Sequence, residues 1–332
     1  MLGNKKIDIM NKVALIIIYN HQYNKNIEVL EKIYKNRFSD IYHLVPFYKG
    51  EKLNVIPVYE NSFYFQGYVA QGFKSFFKEE YKHYFFIADD LLLNPTINEN
   101  SYSEHFNLNS NTCFIPGFIS LDECVWWPQL HHAFEWDINS PGVEAKNQLP
   151  KYEVALQAFK KNGLEIKPLN FNQRWYKPIQ LTFKNFGFKM IRKNIHYLIR
   201  KTKNKLKNNQ YNLPYPMVGS YSDIFIVSSV AIKQFCHYCG VFAATKLFVE
   251  IGLPTSLVLS EQEIVTEKDL KLQGKALWYD GNHRLNGDLK PAFGDYEELD
   301  IFNNNLKDLL NNFPENYIYL HPIKLSKWNT EI

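Results

Sequence analysis

The chain has 332 residues, of which 45% are hydrophobic and 16% aromatic, and a formal charge of +4. That length and apolar content suit one large or two ordinary packed domains and exclude a disordered chain. The net charge alone is too small to imply a nucleic-acid partner. The four cysteines (Cys113, Cys124, Cys236, Cys239) make no disulfide framework in a chain of this size and fit a reducing cytoplasm.

Residues 13–19 are a continuous apolar, β-branched run, as expected of a strand buried on both faces. The run follows Lys5, Lys6 and Lys12 but is too short to span a membrane and lacks a small-residue cleavage site. No other segment is long and apolar enough to span. Residues 24–35 place Ile27, Leu30, Ile33 and Tyr34 at helical spacing, and 41–46 and 55–59 are short strand candidates. Residues 67–80 predict a helix with Val69, Phe73, Phe76 and Phe77 on one face; 84–88 predict another buried strand. Strands alternating with helices imply parallel pairing, right-handed crossovers and ligands at the carboxyl ends of the strands.

The middle of the chain is less regular. Residues 110–144 are aromatic and irregular, with Trp126, Trp127, His131, His132 and Trp136 as candidates to line a sugar site or to cover a core. A helix is expected over 152–162 and a basic amphipathic one over 190–205, with Ile191, Ile195, Leu198 and Ile199 on its stripe. Between Lys184 and Lys207 no acid interrupts the basic residues. Such a segment suits an ordinary solvated helix, an anionic membrane surface or an anionic acceptor such as a lipid-linked saccharide. Residues 208–216 read as a loop, 223–228 as a strand and 229–239 as a helix ended by Gly240. A second helix over 243–251 is closed by Gly252 and Pro254, a strand follows at 256–259, then a helix at 302–312 and a strand at 317–321. Cys236-His237-Tyr238-Cys239 falls at a helix end without a second ligand pair and reads as structural. Trp278-Tyr279-Asp280 and His283-Arg284 form a further polar-aromatic loop.

Two adjacent carboxylates, Asp89 and Asp90, follow the strand at 84–88 directly. Carboxylates at a strand end suit Mn²⁺ or Mg²⁺, and such an ion can bridge to a diphosphate. An isolated pair more often caps a turn; the βα alternation strengthens the functional reading. At the far end His321 and Lys324 pair a potential metal ligand with a point charge for phosphate. Deprotonating a hydroxyl calls for a base, commonly a carboxylate. Glu250, set among apolar residues, and Asp223, at a strand start, are the candidates by chain order.

An apolar strand ending in Ala88-Asp89-Asp90 resembles the DXD region of GT-A-fold, nucleotide-sugar-dependent glycosyltransferases of the bacterial surface-polysaccharide type. Alanine stands at the first acidic position, a departure from the strict motif. The resemblance covers residues 12–95 and, more loosely, 221–326. It implies a single α/β domain, a Rossmann-type mixed sheet flanked by helices. Residues 1–110 would form the nucleotide-sugar half, 145–216 an inserted helical basic segment, and 217–332 the acceptor half with the metal and diphosphate motif. It implies metal at Asp90 and His321, ribose at Asp89, diphosphate at Lys324, and nucleotide around Tyr19, Asn20, His21, Gln66 and Ala88, with Tyr19 stacking on the base. The donor would be a UDP-sugar. The acceptor would be a saccharide or lipid-linked saccharide in capsule or lipopolysaccharide synthesis, reached at the inner face of the cytoplasmic membrane through residues 184–207. No nucleic acid is expected. The alternatives are a sugar-phosphate nucleotidyltransferase, whose usual Gly-rich loop is replaced here by Asn20-His21-Gln22-Tyr23, and a non-catalytic carbohydrate- or nucleotide-binding module.

Overall fold

The computed structural model describes residues 12–122, 128–140, 142–170, 210–260, 262–276, 299 and 301–332. The expected basic helix at 190–205, the charged stretch 184–207, Trp126, Trp127 and the loop 278–284 lie outside them. No helix among the described residues is long and apolar enough to cross a membrane.

The amino-terminal half runs β1 (Val13–Ile18), α1 (Asn24–Tyr34), β2 (Asp40–Pro46), β3 (Val55–Val58), α2 (Gln66–Phe76) and β4 (His83–Ala88). After β4 come β5 (Leu92–Leu93), β6 (Thr112–Phe114), α3 (Tyr152–Lys161) and the small pair β7 (Leu169–Asn170) and β8 (Gln210–Tyr211). The chain then forms β9 (Ile224–Ser228), α4 (Ile232–Ala244), α5 (Val249–Leu259), β10 (Glu263–Val265), β11 (Gln273–Ala276), α6 (Leu306–Asn311) and β12 (Tyr317–His321). The main sheet has seven strands in the order β10-β6-β9-β4-β1-β2-β3. Its pairs are parallel except those of β9, which runs against β4 and β6. The fold is thus mixed α/β with helices on the sheet, compatible with a Rossmann-like architecture.

The strand sequences explain the layers. In β1, Ala14, Ile16 and Ile18 face a core shared with α2, α4 and α5, while Val13, Leu15 and Ile17 face a second core under α1 and α6. In β4, Tyr84 and Phe86 take the first side, Phe85 and Ile87 the other. Side chains alternate across a strand, so one covered on both faces needs an unbroken apolar run. A three-stranded sheet, β11-β12-β5, closes the second side. Its β5 begins two residues after Asp90 and pairs antiparallel with β12, Leu92 opposite Leu320. That pairing carries the carboxyl end of β12 to the carboxyl end of β4.

Two helix boundaries differ from expectation. The apolar run at 256–259 is the end of α5, not a strand; a short buried run carries no period to separate the two. Pro254 lies inside this helix rather than after it. Having no N–H, it leaves the carbonyl of Glu250 without its helical partner; the amide of Ser220 donates to that oxygen instead, at 2.9 Å. Gly240 does not end α4, which continues to Ala244. A β-carbon there would stand 3.3 Å from Cβ of Ala70, so the glycine permits close approach of α2 and α4.

Two buried histidines give the fold an acid sensitivity. His83 Nε2–H donates to the carbonyl of Thr112 at 3.1 Å, and the Tyr102 hydroxyl donates to Nδ1 at 2.9 Å, so the ring is satisfied when neutral. Burial lowers the pKa values of His43 and His83 to about 4. The unfolded chain takes up these protons near pH 6.5 and the folded one only near 4, so each histidine withdraws stability as pH falls across that window. His83→Gln should lessen the pH dependence of stability there by up to about 1.4 kcal/mol per pH unit. Urea midpoints at pH 7 and 5 test it; equal dependence in both proteins would refute the assignment.

Candidate active site at the carboxyl edge of the sheet

Asp89 and Asp90 sit where β4 ends, with only 3% and 8% of their surface exposed. Two backbone contacts hold the turn: the Asp89 amide donates to the Ile18 carbonyl at 2.9 Å, and the Ala88 amide to the Asp223 carbonyl at 2.8 Å. Both neighbouring strands therefore position the acids, β1 on one side and the lead-in to β9 on the other.

The two carboxylates have different surroundings. Asp90 Oδ1 accepts from His321 Nε2–H at 3.0 Å, and Oδ2 accepts from Lys324 Nζ at 3.1 Å. Both partners lie more than 230 residues further along the chain and arrive through the β5–β12 pairing. Burial pushes the Asp90 carboxyl up, but the His321 and Lys324 contacts outweigh it and set its pKa at about 2. Asp89 accepts from Asn26 Nδ2 at 3.1 Å and from the backbone amide of Asn20. Burial, then the Asp90 charge, raises Asp89 to about 7. Adjacent acids thus behave as one fixed anion and one group that titrates near neutrality.

His321 continues the network. Its Nδ1 is hydrogen-bonded to the Tyr221 hydroxyl. Burial lowers the imidazole's pKa, but the carboxylates of Asp223 and Asp90 outweigh it and the net shift is upward. Asp223 opens the approach to β9 beside this histidine. Burial raises its pKa, with Asp90 adding to the rise, against the opposing His321, Tyr221 and Lys324. Glu250 stands behind it in the first turn of α5, its Oε2 buried without a hydrogen-bond partner. Burial and then the Asp223 charge hold its pKa well above the carboxylate range. Both candidate bases are thus buried acids held above the usual carboxylate range.

The nucleotide-side residues fall into two groups. Asn20 adjoins Asp89 through its backbone, and His21 is exposed, its ring 5.6 Å edge-on from Tyr23. Ala88 is buried in the β4 turn. Tyr19 is not available for stacking: it has no exposed surface, and its hydroxyl meets His43 Nδ1 at 2.9 Å. Gln66 is also fully buried, its Nε2 donating to the Leu247 carbonyl at 2.8 Å in the contact of α2 with α5, not at the sheet edge. Both corrections follow from helices and strands that cover those faces.

Two aromatic residues missed in the sequence stand exposed beyond β2 and β3. Phe47 and Tyr59 meet edge-to-face at 5.9 Å and are 54% and 64% exposed. Phe47 holds a φ of 54°, unusual for a bulky side chain, with its amide on the Val58 carbonyl and its own carbonyl accepting from Gln22. Their signal in the sequence is slight, one aromatic directly after each strand.

Asp90 and His321 are the residues here that could hold a divalent ion; Asp90 Oδ1 and His321 Nε2, 3.0 Å apart, share the Nε2 proton, which an ion would have to displace. No group of three His, Cys, Asp or Glu side chains suited to a metal occurs among the described residues. Compared with protein-family models, curated proteins and solved structures, the chain finds no match in any of the three.

Proposed function

We propose that this chain is a glycosyltransferase that uses a nucleotide diphosphate sugar, in the GT-A manner. The observation that carries the reading is Asp90 held between His321 and Lys324 at the carboxyl edge of parallel strands. That edge is where open α/β sheets bind nucleotides. The neighbouring features fit the same substrate. Asp89 and Asn26 offer both acceptors and donors to a ribose diol, and Phe47 with Tyr59 offers an exposed aromatic platform for a base.

In the proposed reaction the bond from the anomeric carbon to the diphosphate oxygen breaks, and its electron pair leaves with the diphosphate. The acceptor hydroxyl oxygen bonds to that carbon, and in an inverting reaction its proton passes to Asp223. Lys324, whose side chain is 57% exposed, is free to swing from Asp90 to the leaving phosphate as a point charge. Tyr221 and Asp90 fix the His321 ring from its two nitrogens. A divalent ion held by Asp90 and His321 would supply Lewis-acid neutralisation of the diphosphate.

A thermal-shift panel of UDP-, GDP-, CDP- and dTDP-sugars, with and without Mn²⁺, tests the reading. At a hundred times Kd a native-state ligand adds about 2.7 kcal/mol, a rise of several degrees in Tm. One donor class should give that rise; stabilisation by none would sink the proposal. Phe47→Gly should weaken binding of the stabilising nucleotide about tenfold through lost stacking. It should not lower Tm, because glycine accepts the left-handed backbone without strain. Unchanged affinity would remove Phe47 from the base site.

A further inference from the structure

A second concavity adjoins the acid site. It has a volume of about 1020 Å³ and runs along β10 and the segments flanking β6, bounded by residues 116–119, 161–164 and 262–269. Its size is at the upper end for small-molecule sites and exceeds what one monosaccharide fills. Tyr221, 2% exposed, lines it and also hydrogen-bonds His321, so one side chain links this cleft to the acid site. The Ser220 hydroxyl donates to the Gly117 carbonyl at 2.6 Å, fixing the cleft floor to the same lead-in strand.

The lining chemistry narrows the ligand. Five amide residues line the cleft, Asn107, Asn111, Asn162, Gln262 and Gln273; Asn162 and Gln262 donate to the Ala158 and Ser260 carbonyls. Phe118, partly exposed, supplies an aromatic face between them. Among the described lining residues the cations are Lys161 and Lys268, against Glu263, Glu267 and Asp269, with no arginine. Two of these acids are engaged within the fold. Asp269 takes the amide and hydroxyl of Thr266, both at 2.9 Å, and Glu267 takes the Tyr319 hydroxyl at 2.6 Å. The excess of acid over base disfavours an anion. Amides offer matched donors and acceptors to hydroxyl groups, and a ring face suits the apolar side of a pyranose.

We infer that this cleft is the acceptor site and that the acceptor is a neutral oligosaccharide of two or three units, not one bearing uronic acid or phosphate. The inference rests on the transferase reading above and adds the substrate class to it. The test is saturation-transfer NMR on the wild-type chain. The probes are neutral di- and trisaccharides of hexose and N-acetylhexosamine, beside matched ones carrying a uronic acid or a phosphate. Donor-induced Tm shifts are measured in parallel. Neutral probes should bind at least five times more tightly than their anionic counterparts, and Phe118→Ala and Gln273→Ala should each weaken them about five- to tenfold. Preferential binding of the anionic set, or no binding of either, overturns the inference while a donor shift leaves the transferase reading standing. Loss of the donor shift in wild type instead overturns the transferase reading. Neutral binding that both substitutions leave unchanged moves the ligand out of this cleft and overturns the assignment.

Discussion

Asp90→Ala should lower kcat about a thousandfold and cost about 3 kcal/mol of stability. On the proposed transferase reading, the first effect follows from removing the anion at the diphosphate end of the site, within the usual range for a fixed electrostatic element. The second follows from leaving the Nε2–H of His321, 7% exposed, without the carboxylate it donates to. Asp90→Asn separates the two. The amide oxygen still accepts from His321, so most of the stability should return while turnover stays low. The pair should also survive mild acid. With Asp90 at about 2, its contribution is complete above the unfolded value near 4 and is lost only as pH falls through 2. Turnover and urea unfolding on both variants check these expectations. An Asp90→Ala enzyme with unchanged turnover would place the chemistry elsewhere.

Asp89→Asn should act in the opposite direction on stability. Asp89 is raised to about 7 by burial and by the neighbouring Asp90 charge. A carboxyl raised in the folded state contributes stability that is full below its unfolded pKa, near 4, and is lost as pH rises through 7. At pH 8 the folded protein therefore bears the cost of an ionised, buried second acid. A neutral amide removes that cost, and the variant should be about 2–4 kcal/mol more stable at pH 8, with no advantage below pH 4. Between pH 6.5 and 4 the proton taken up by Asp89 opposes the penalty from His43 and His83, so Asp89→Asn should also steepen acid destabilisation there, by up to about 1.4 kcal/mol per pH unit. On the transferase reading activity should fall, since the carboxylate proposed for the ribose is lost. A variant less stable than wild type at pH 8 would mean that Asp89 is compensated in ways its neighbours do not reveal.

The parts of this site that were legible in the sequence were those with strong local patterns. β4 could be found because a strand covered on both faces needs an unbroken apolar run, and its two acids break that run abruptly. His321 and Lys324 could be named by type and order, but nothing local announced that β5 would pair with β12 and bring them to Asp90. Strands of two or three residues, such as β5, β6 and β10, have too little length for a period. Tyr19 illustrates a different failure. Alternation puts it on the same face as Leu15 and Ile17, and a ring there is open or covered according to elements elsewhere in the chain. Gln66 was misplaced for the same reason, since the contact of α2 with α5 is tertiary. For Glu250, apolar neighbours did predict burial; its nearness to Asp223 needed the fold.

Pro254 makes α5 one hydrogen bond short, and Ser220 supplies it from another layer of the molecule. The residue before Ser220 is tied just as firmly: Gly219 and Ile119 exchange amide and carbonyl in both directions, at 2.8 and 3.0 Å. One helix defect therefore acts as a rivet through α5, the lead-in to β9 and the floor of the cleft. None of the amides of Ile119, Gly219 and Ser220 can meet solvent unless those layers part. In hydrogen–deuterium exchange the three should share a single protection rate despite their distance in sequence, and occupancy of the cleft should slow all three by the same factor. The proline that looked like the end of a helix is what makes a distant stretch of backbone keep time with it.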